Sequence, residues 1–410
     1  MTDSPLDDAI ARQYGRWIYP EPAQDLDVYS QTRRGTCDPA LVHDLFWPDR
    51  DYPRALDILV AGCGANEAAE IAYQNRSARV LGIDVSEPSL AHERHLRHKH
   101  NLDNLELLRL PIEDVPSLGR DFDLILASGV LHHMAEPLAG MKALGSCLRR
   151  DGVIAVFLYG RHGRVGLEIL QSLFRDIGLG QDEASLAVVK RTLEALPAHH
   201  PLRPETLLPD ARFDAGLVDL FLNPRERSYT VEDCLRFVSE AGLVFQGWVE
   251  NAYYFPDGWL DADHPLFAAL GRLPTPAIWA ATDLYLCNRG HFFVACRPDR
   301  PPEQYRIDPA SAEALRYVPV RRAHTIVAEA DKTPGAVARL QRRGVQTMVS
   351  DAQARLLDAV DGRRSLAEIV SAAMAQGLPG SPSEAEGFAR EYFASLWRMG
   401  LIFFRLPRAP

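Results

Sequence analysis

Residues 57–84 read DILVAGCGANEAAEIAYQNRSARVLGID. A short apolar run stops at two glycines, an Ala-rich stretch with helical spacing follows, and a second apolar run ends on an acid. A chain that turns this sharply between strand and helix needs residues that tolerate positive φ, and Gly62 and Gly64 supply them. The same glycines let a ligand approach the backbone closely. Asn66 stands at the N-cap of the next helix, whose first amides would face an anionic group. Asp84 closes the second strand, where a carboxylate can accept both hydroxyls of a ribose. A strand–turn–helix–strand unit of this length implies a right-handed crossover and parallel pairing.

The alternation continues. Strands are expected at LELLRL (105–110), FDLILAS (122–128) and GVIAVFLY (152–159), with helices at SLAHERHLRHKH and LAGMKALGSCL between them. Two later stretches, LVFQGWVE (243–250) and GHFFVACRP (290–298), also read as strands. The pattern predicts an α/β fold around a doubly wound, mostly parallel sheet. Residues 161–230 interrupt it as a helical insertion, and Thr230–Asp233 opens a further helix. Residues 1–50 form an aromatic, irregular arm with a helix at Ala40–Phe46, and the shift at PDRPPEQY (298–305) marks a boundary. The expected organisation is an arm over 1–50, an α/β domain over 51–300 and a small α+β domain over 301–410. The last carries a strand pair (RYVPVRR, HTIVAEA) and a closing strand, LIFFRL. Its three short helices open on capping boxes at Ser350 and Gln353, Ser365 and Glu368, and Ser383 and Glu386.

Composition narrows the class. The chain has 410 residues, 47% hydrophobic and 24% charged, with a formal net charge of −10. That is ordinary globular usage, so disorder and a disulfide scaffold are poor readings. The opening MTDSPLDDAI lacks the apolar core of a leader, and no apolar run approaches the ~20 residues of a membrane span. Six cysteines form no CxxC pair. A soluble, reduced, cytoplasmic protein is expected, with nucleic acid not the default partner. The cluster Arg321, Arg322, Arg339, Arg342 and Arg343, in a C-terminal region of net charge +3, keeps DNA in view.

Taken alone, the glycine pair and later acid suit NAD, FAD and S-adenosylmethionine about equally. The third glycine of GxGxxG is absent, with Glu67 in its place, and strand four ends in ASGVLHHM. With these residues the chain resembles the class I S-adenosylmethionine-dependent methyltransferases. The likeness covers Leu56–Tyr159 through the GCG turn, GIDVS, LPIEDV and GVLHH. The resemblance implies a seven-stranded sheet of order 3-2-1-4-5-7-6, with 243–250 and 290–298 as strands six and seven. It implies that Ala61, Gly62, Cys63 and Gly64, beside Asn66, line the methionine part of the cofactor, while Asp84 holds the ribose. Val85 would cover the adenine, Ile112 and Glu113 would flank it, and Ser128 and Gly129 would lie beneath the sulfonium. Two positions depart from the family: Val60 replaces an acid, so the ammonium needs Glu67 or a backbone carbonyl, and Pro111-Ile112 replaces a polar adenine cap. The arm's QYGRWIYP resembles a cofactor lid in some methyltransferases, with Tyr14, Trp17 and Tyr19 either covering the cofactor or packing core. The C-terminal region, through DGRRSLAEIV above all, resembles a winged-helix or PqqD-like peptide-recognition module. Such a module would bind peptide by strand addition, pack against the catalytic domain or form a homodimer contact.

Methyl transfer from a sulfonium is an in-line displacement. It needs a nucleophile held about 3–3.5 Å from the methyl carbon, and a base only if the acceptor is protonated. Tyr159 and His133, near strand carboxyl ends with His132 and His162, are the catalytic candidates, though an HH pair also suits the start of a helix. His92, His95, His98 and His100 wind around a helix and read as a solvated face, so no metal is expected. The NPRERSYT turn (Arg225, Arg227, Tyr229) would grip an anionic or peptide substrate or form a polar loop. Tyr253, Tyr254, Phe255 and Trp259 would wall an acceptor pocket. Three functions remain: methyl transfer to nitrogen or oxygen of a peptide or protein, methyl transfer to a small natural-product metabolite, and a non-catalytic cofactor-binding or DNA-binding regulator.

Overall fold

The computed structural model describes residues 5–6, 8–32, 37–52, 55–202, 209–329 and 335–407. The chain groups into two compact units. One comprises Met1–Asp38, Pro53–Phe245 and Leu286–Asp299, and the other Pro39–Tyr52, Gln246–Tyr285 and Arg300–Pro410.

The first unit is built on strands β1 (Asp57–Ala61), β2 (Arg79–Asp84), β3 (Leu105–Arg109), β4 (Phe122–Ser128), β5 (Leu148–Gly160), β6 (Val244–Trp248) and β7 (Gly290–Cys296). β6 runs across the point where the chain passes to the second unit. The order is β3-β2-β1-β4-β5-β7-β6, the seven-stranded order expected, with the two-residue strand Ser228–Tyr229 pairing onto the end of β5. β1 is parallel to β2 and β4, placing Ile58 opposite both Val80 and Leu124, whereas β7 is antiparallel to β5. Every residue of β1 is buried, as in parallel strands covered on both faces. The segment after β5 supplies helices Val165–Asp176, Glu183–Glu194 and Asp214–Leu222, which share a core of Leu167, Leu170, Phe174, Val189, Val218 and Phe221.

The second unit holds β8 (Val318–Arg321), β9 (Ile326–Glu329), β10 (Ala336–Arg342), β11 (Val345–Ser350) and β12 (Ile402–Arg405). β9, β10 and β11 form an antiparallel sheet, and β12 pairs antiparallel with β8. Helices Asp351–Asp358, Leu366–Ala375 and Pro382–Arg398 close a core around Leu356, Ile369, Phe393 and Phe404. Capping boxes at Ser350 and Ser365 form as expected. The third does not start at Ser383: Ser381 is the cap and Glu384 its partner, two residues earlier. Both registers satisfy the motif, and Pro382 decides between them because its fixed φ and missing N–H suit the first helical position.

The units also divide the chain differently from the expected boundaries at 50 and 300. Glu250 lies between Arg322 and Arg342, Phe255 meets Trp397 at 5.8 Å, Arg398 pairs with Asp257, and Arg405 pairs with Asp44. These contacts draw 39–52 and 246–285 into the C-terminal unit, and the arm is split at its helix Pro39–Phe46. Among the described residues no helix is long and apolar enough to cross a membrane.

Candidate cofactor and acceptor site

The carboxyl edge of the first unit's sheet gathers the predicted cofactor residues. Gly62 and Gly64 take φ of 70° and 57°. A Cβ on Gly62 would lie 2.5 Å from Val130 Cγ2, so this turn admits no side chain. Asp84 ends β2 and accepts from Gly64 N and Ser86 N, one on each carboxylate oxygen, both at 2.8 Å. Each oxygen keeps a further lone pair, which is what a ribose diol needs. Burial pushes the Asp84 carboxyl above its ordinary pKa, against the pull of those backbone amides. Val85 follows at once, and Ile112, buried, opens the turn Ile112–Leu118 with Glu113 partly exposed beside it. Ser128 ends β4, and Gly129 (φ 76°) has nothing within 4 Å of where a Cβ would stand. A carboxylate with spare lone pairs, a glycine turn and open ground over Gly129 fit S-adenosylmethionine.

Two expectations about the helix after the glycine turn are corrected. Asn66 occupies the N-cap position, but its side chain makes no capping bond. Its Oδ1 accepts from Ala23 N at 2.8 Å and its Nδ2 donates to the Glu21 carbonyl at 2.9 Å, so Asn66 ties down the arm. Nor do the helix amides face a ligand anion. Glu93, fully buried, accepts from Ala68 N (3.0 Å) and Ala69 N (2.8 Å) and fills that role from within the chain. Burial holds its carboxyl well above the usual range. Glu67, nearby and partly buried, is pushed up to about 8 by desolvation, with Glu70 adding to the shift.

The arm lies on this edge. The Tyr14 carbonyl accepts from Ser86 Oγ at 2.9 Å, and a Cβ on Gly64 would meet Pro20 Cδ at 2.9 Å. The Tyr14 hydroxyl donates to Asp219 Oδ1 at 2.7 Å, where Gln13 and Asn223 also donate. Trp17 turns away and gives its Nε1–H to the Gln181 carbonyl at 3.1 Å.

The two catalytic candidates come together. The rings of His133 and Tyr159 lie 5.7 Å apart and those of His133 and Tyr14 6.4 Å, edge to face. His133 sits in the short turn Leu131–His133, and its Nδ1 donates to the Arg225 carbonyl at 3.0 Å. Burial raises the Tyr159 phenol well above its usual pKa, with Asp219 adding to the shift. The arginines of the NPRERSYT loop bond within the chain. Arg225 pairs with Asp8 and donates to the His133 carbonyl, while Arg227 donates to that of Ala135. Tyr253, Tyr254, Phe255 and Trp259 belong to the second unit, where Trp248 and Tyr254 stack at 3.7 Å. His92 and His100 are tied to the arm through the Ala23 carbonyl and Leu26 N. Sequence reasoning missed Glu93, Arg164 and Glu226. Arg164 lies 3.7 Å over the Tyr159 ring and pairs with Glu226 at 2.7 Å.

The sheet order, with a glycine turn after β1 and an acid, Asp84, ending β2, is that of the Rossmann-like methyltransferase fold. Residues 59–154 match the family model of a methyltransferase domain. An uncharacterized protein of Synechococcus sp. is 30% identical over 218 residues, 51% of this chain and 52% of its own length. The chain thus spans about half of that relative. The tRNA 5-carboxymethoxyuridine methyltransferase of Escherichia coli is 28% identical over 201 residues, 47% of this chain and 69% of that one. Among solved structures, PKMT2 from Rickettsia typhi shares the fold over 98% of this chain and 75% of its own, with TM-score 0.60 and 13% identity.

Proposed function

We propose that this chain transfers the methyl group of S-adenosylmethionine to a nitrogen or oxygen nucleophile of a peptide or protein. The observation that carries the reading is the Asp84 carboxylate, fixed by Gly64 N and Ser86 N at the sheet edge with open space over Gly129. The cofactor, when bound, supplies an electrophilic methyl group on sulfur. In this reading Asp84 accepts the ribose hydroxyls and Val85, Ile112 and Glu113 flank the adenine. Ala61, Gly62, Cys63, Gly64 and Asn66 line the methionine side, with Ser128 and Gly129 beneath the sulfonium. Tyr14 covers the pocket, and Tyr159 and His133 face the acceptor.

Glu67 is the partner assigned to the methionine ammonium. Without one it keeps its proton up to about pH 8. An ammonium favours the carboxylate and draws that pKa down, so binding at pH 7 should release up to one proton. Calorimetry in buffers of different protonation enthalpy measures it. Glu67→Gln should abolish the release and weaken binding about tenfold, the scale of one charge-assisted bond; no release from the wild type would place the ammonium elsewhere.

A peptide acceptor is supported by the second unit. β9 is an edge strand of its sheet among the described residues, with Ile326 53% and Val327 47% exposed, and an edge of this kind accepts an added strand. The Escherichia coli relative is by its name a tRNA methyltransferase, so the test compares acceptors directly. Cofactor labelled in the methyl group is incubated with peptide, tRNA and small-metabolite fractions, using Asp84→Ala as the blank. Label in peptide is the expected result, and label confined to tRNA or metabolites would overturn the peptide assignment.

A further inference from the structure

Buried polar atoms without partners gather where β5 ends. The Tyr159 ring packs against the Arg164 guanidinium at 3.7 Å and the His132 ring at 4.0 Å. Arg164 is only 2% exposed and the Glu226 side chain 8%. Two donors converge on Glu226 Oε1, Arg164 at 2.7 Å and Gln171 Nε2 at 3.2 Å. Glu226 Oε2 is buried and accepts from no group, and Arg164 Nε likewise donates to none. Leaving a buried carboxylate oxygen unpaired is expensive, and native proteins rarely do so without a reason.

The location supplies the reason. Glu226 stands two residues before Ser228, which pairs with Tyr159 at the end of β5. β5 lies beside β4, whose last residue, Ser128, is opposite Phe157. Glu226 therefore sits at the carboxyl edge of the sheet, where open α/β folds bind ligands, one strand from Gly129.

We infer that Glu226 Oε2 is the proton acceptor of the transfer reaction, and that the methyl acceptor is protic, an amine or a hydroxyl. This rests on the methyl-transfer reading above and narrows its acceptor. Arg164 and Gln171 occupy Oε1 and leave Oε2 for the nucleophile's N–H or O–H. A carboxylate acceptor would bring a second negative charge against Glu226. In the step, the nucleophile's lone pair forms the bond to the methyl carbon as the carbon–sulfur bond breaks and its electron pair stays on sulfur. The proton lost from nitrogen or oxygen passes to Oε2. The products are S-adenosylhomocysteine, the methylated acceptor and a neutral Glu226, which returns its proton to solvent when the site opens.

The test uses n-butylamine, n-butanol and butyrate as probes, titrated into the full chain saturated with S-adenosylhomocysteine. Wild type should bind butylamine and butanol more tightly than butyrate. Glu226→Gln keeps an oxygen for Arg164 and Gln171 but puts an NH2 in place of Oε2. It should weaken butylamine at least about tenfold, the scale of one hydrogen bond to a charged group. Glu226→Asp should recover part of that loss, and S-adenosylhomocysteine should bind all three proteins alike, which controls for folding. The assignment is overturned if butyrate binds most tightly, if no probe binds the wild type, or if the Gln variant holds butylamine as the wild type does. Failure of S-adenosylhomocysteine to bind the wild type would instead remove the methyl-transfer reading, and butylamine titrated into cofactor-free protein would then decide Glu226 separately.

Discussion

Asp84→Ala should weaken S-adenosylmethionine binding by about 10²–10³-fold, the loss of two or three hydrogen bonds to a charged group at ~1.5 kcal/mol or more each. The carboxylate serves two sides at once. It fixes the glycine turn through Gly64 N and the next helix through Ser86 N, and in the proposed reading its remaining lone pairs meet the ribose. Removing it therefore loosens the turn as well as the ligand. Asp84→Asn, which keeps one acceptor oxygen, should fall in between. Because burial holds this carboxyl above its ordinary pKa, it gains a proton earlier on acidification than an exposed Asp at ~3.9, and affinity should fall from correspondingly higher pH. Titration calorimetry of the three proteins measures both effects, and a loss below tenfold in Asp84→Ala would place the ribose on other groups.

The largest effect on stability is expected from Arg342→Ala in the second unit. Arg342 makes two contacts with the Glu250 carboxylate, at 2.7 and 3.0 Å, and also donates to the carbonyls of Ala323 and Gly400. Arg322 reaches the same carboxylate at 3.2 Å. Burial pushes the Glu250 carboxyl up, but Arg322 and Arg342 outweigh it and hold the pKa below the ordinary value. Truncating Arg342 leaves a buried charge short of its main partner, which costs roughly 3–5 kcal/mol. Urea unfolding at pH 7 should register that loss. A group with a lowered folded pKa stabilises above its unfolded value of ~4.3 and loses that contribution as pH falls through the folded value. The difference between wild type and variant should therefore shrink in acid. An undiminished difference in acid would mean that Arg342 acts through its carbonyl contacts rather than through Glu250.

What the sequence made legible follows from the range of the forces involved. β1, β2 and β4 match the segments 57–61, 79–84 and 122–128 to the residue, because the interior of a buried parallel strand is mainly apolar and polar residues gather towards its ends and in the turns beyond. Gly62, Gly64 and Asp84 were readable for a similar reason, since positive φ and strand-end placement are set within a few residues. Asn66 was misread because its partners, Ala23 and Glu21, lie more than forty residues away. Glu93 and Glu226 looked like ordinary acids in a charged helix and a polar loop, and only tertiary packing buries them. The arginines of NPRERSYT have the look of ligand grips, yet they hold backbone carbonyls, while the acid between them, Glu226, keeps one carboxylate oxygen without a partner. The aromatic loop after β6 has the composition of a pocket wall, and within the second unit its Tyr254 stacks on Trp248, a pairing that composition alone does not reveal.

The arm's moorings carry a further meaning. Ser86 holds Tyr14, Asn66 holds Glu21 and Ala23, and Gly64 lies against Pro20, so the residues that fasten the N-terminal segment are among those the proposed function places around the cofactor. On that reading, docking of the arm and occupancy of the pocket would be linked equilibria, each tightening the other by the same factor. The residence time of the spent cofactor would be governed by how often this clasp releases, so turnover can be paced by a segment that takes no part in the chemistry.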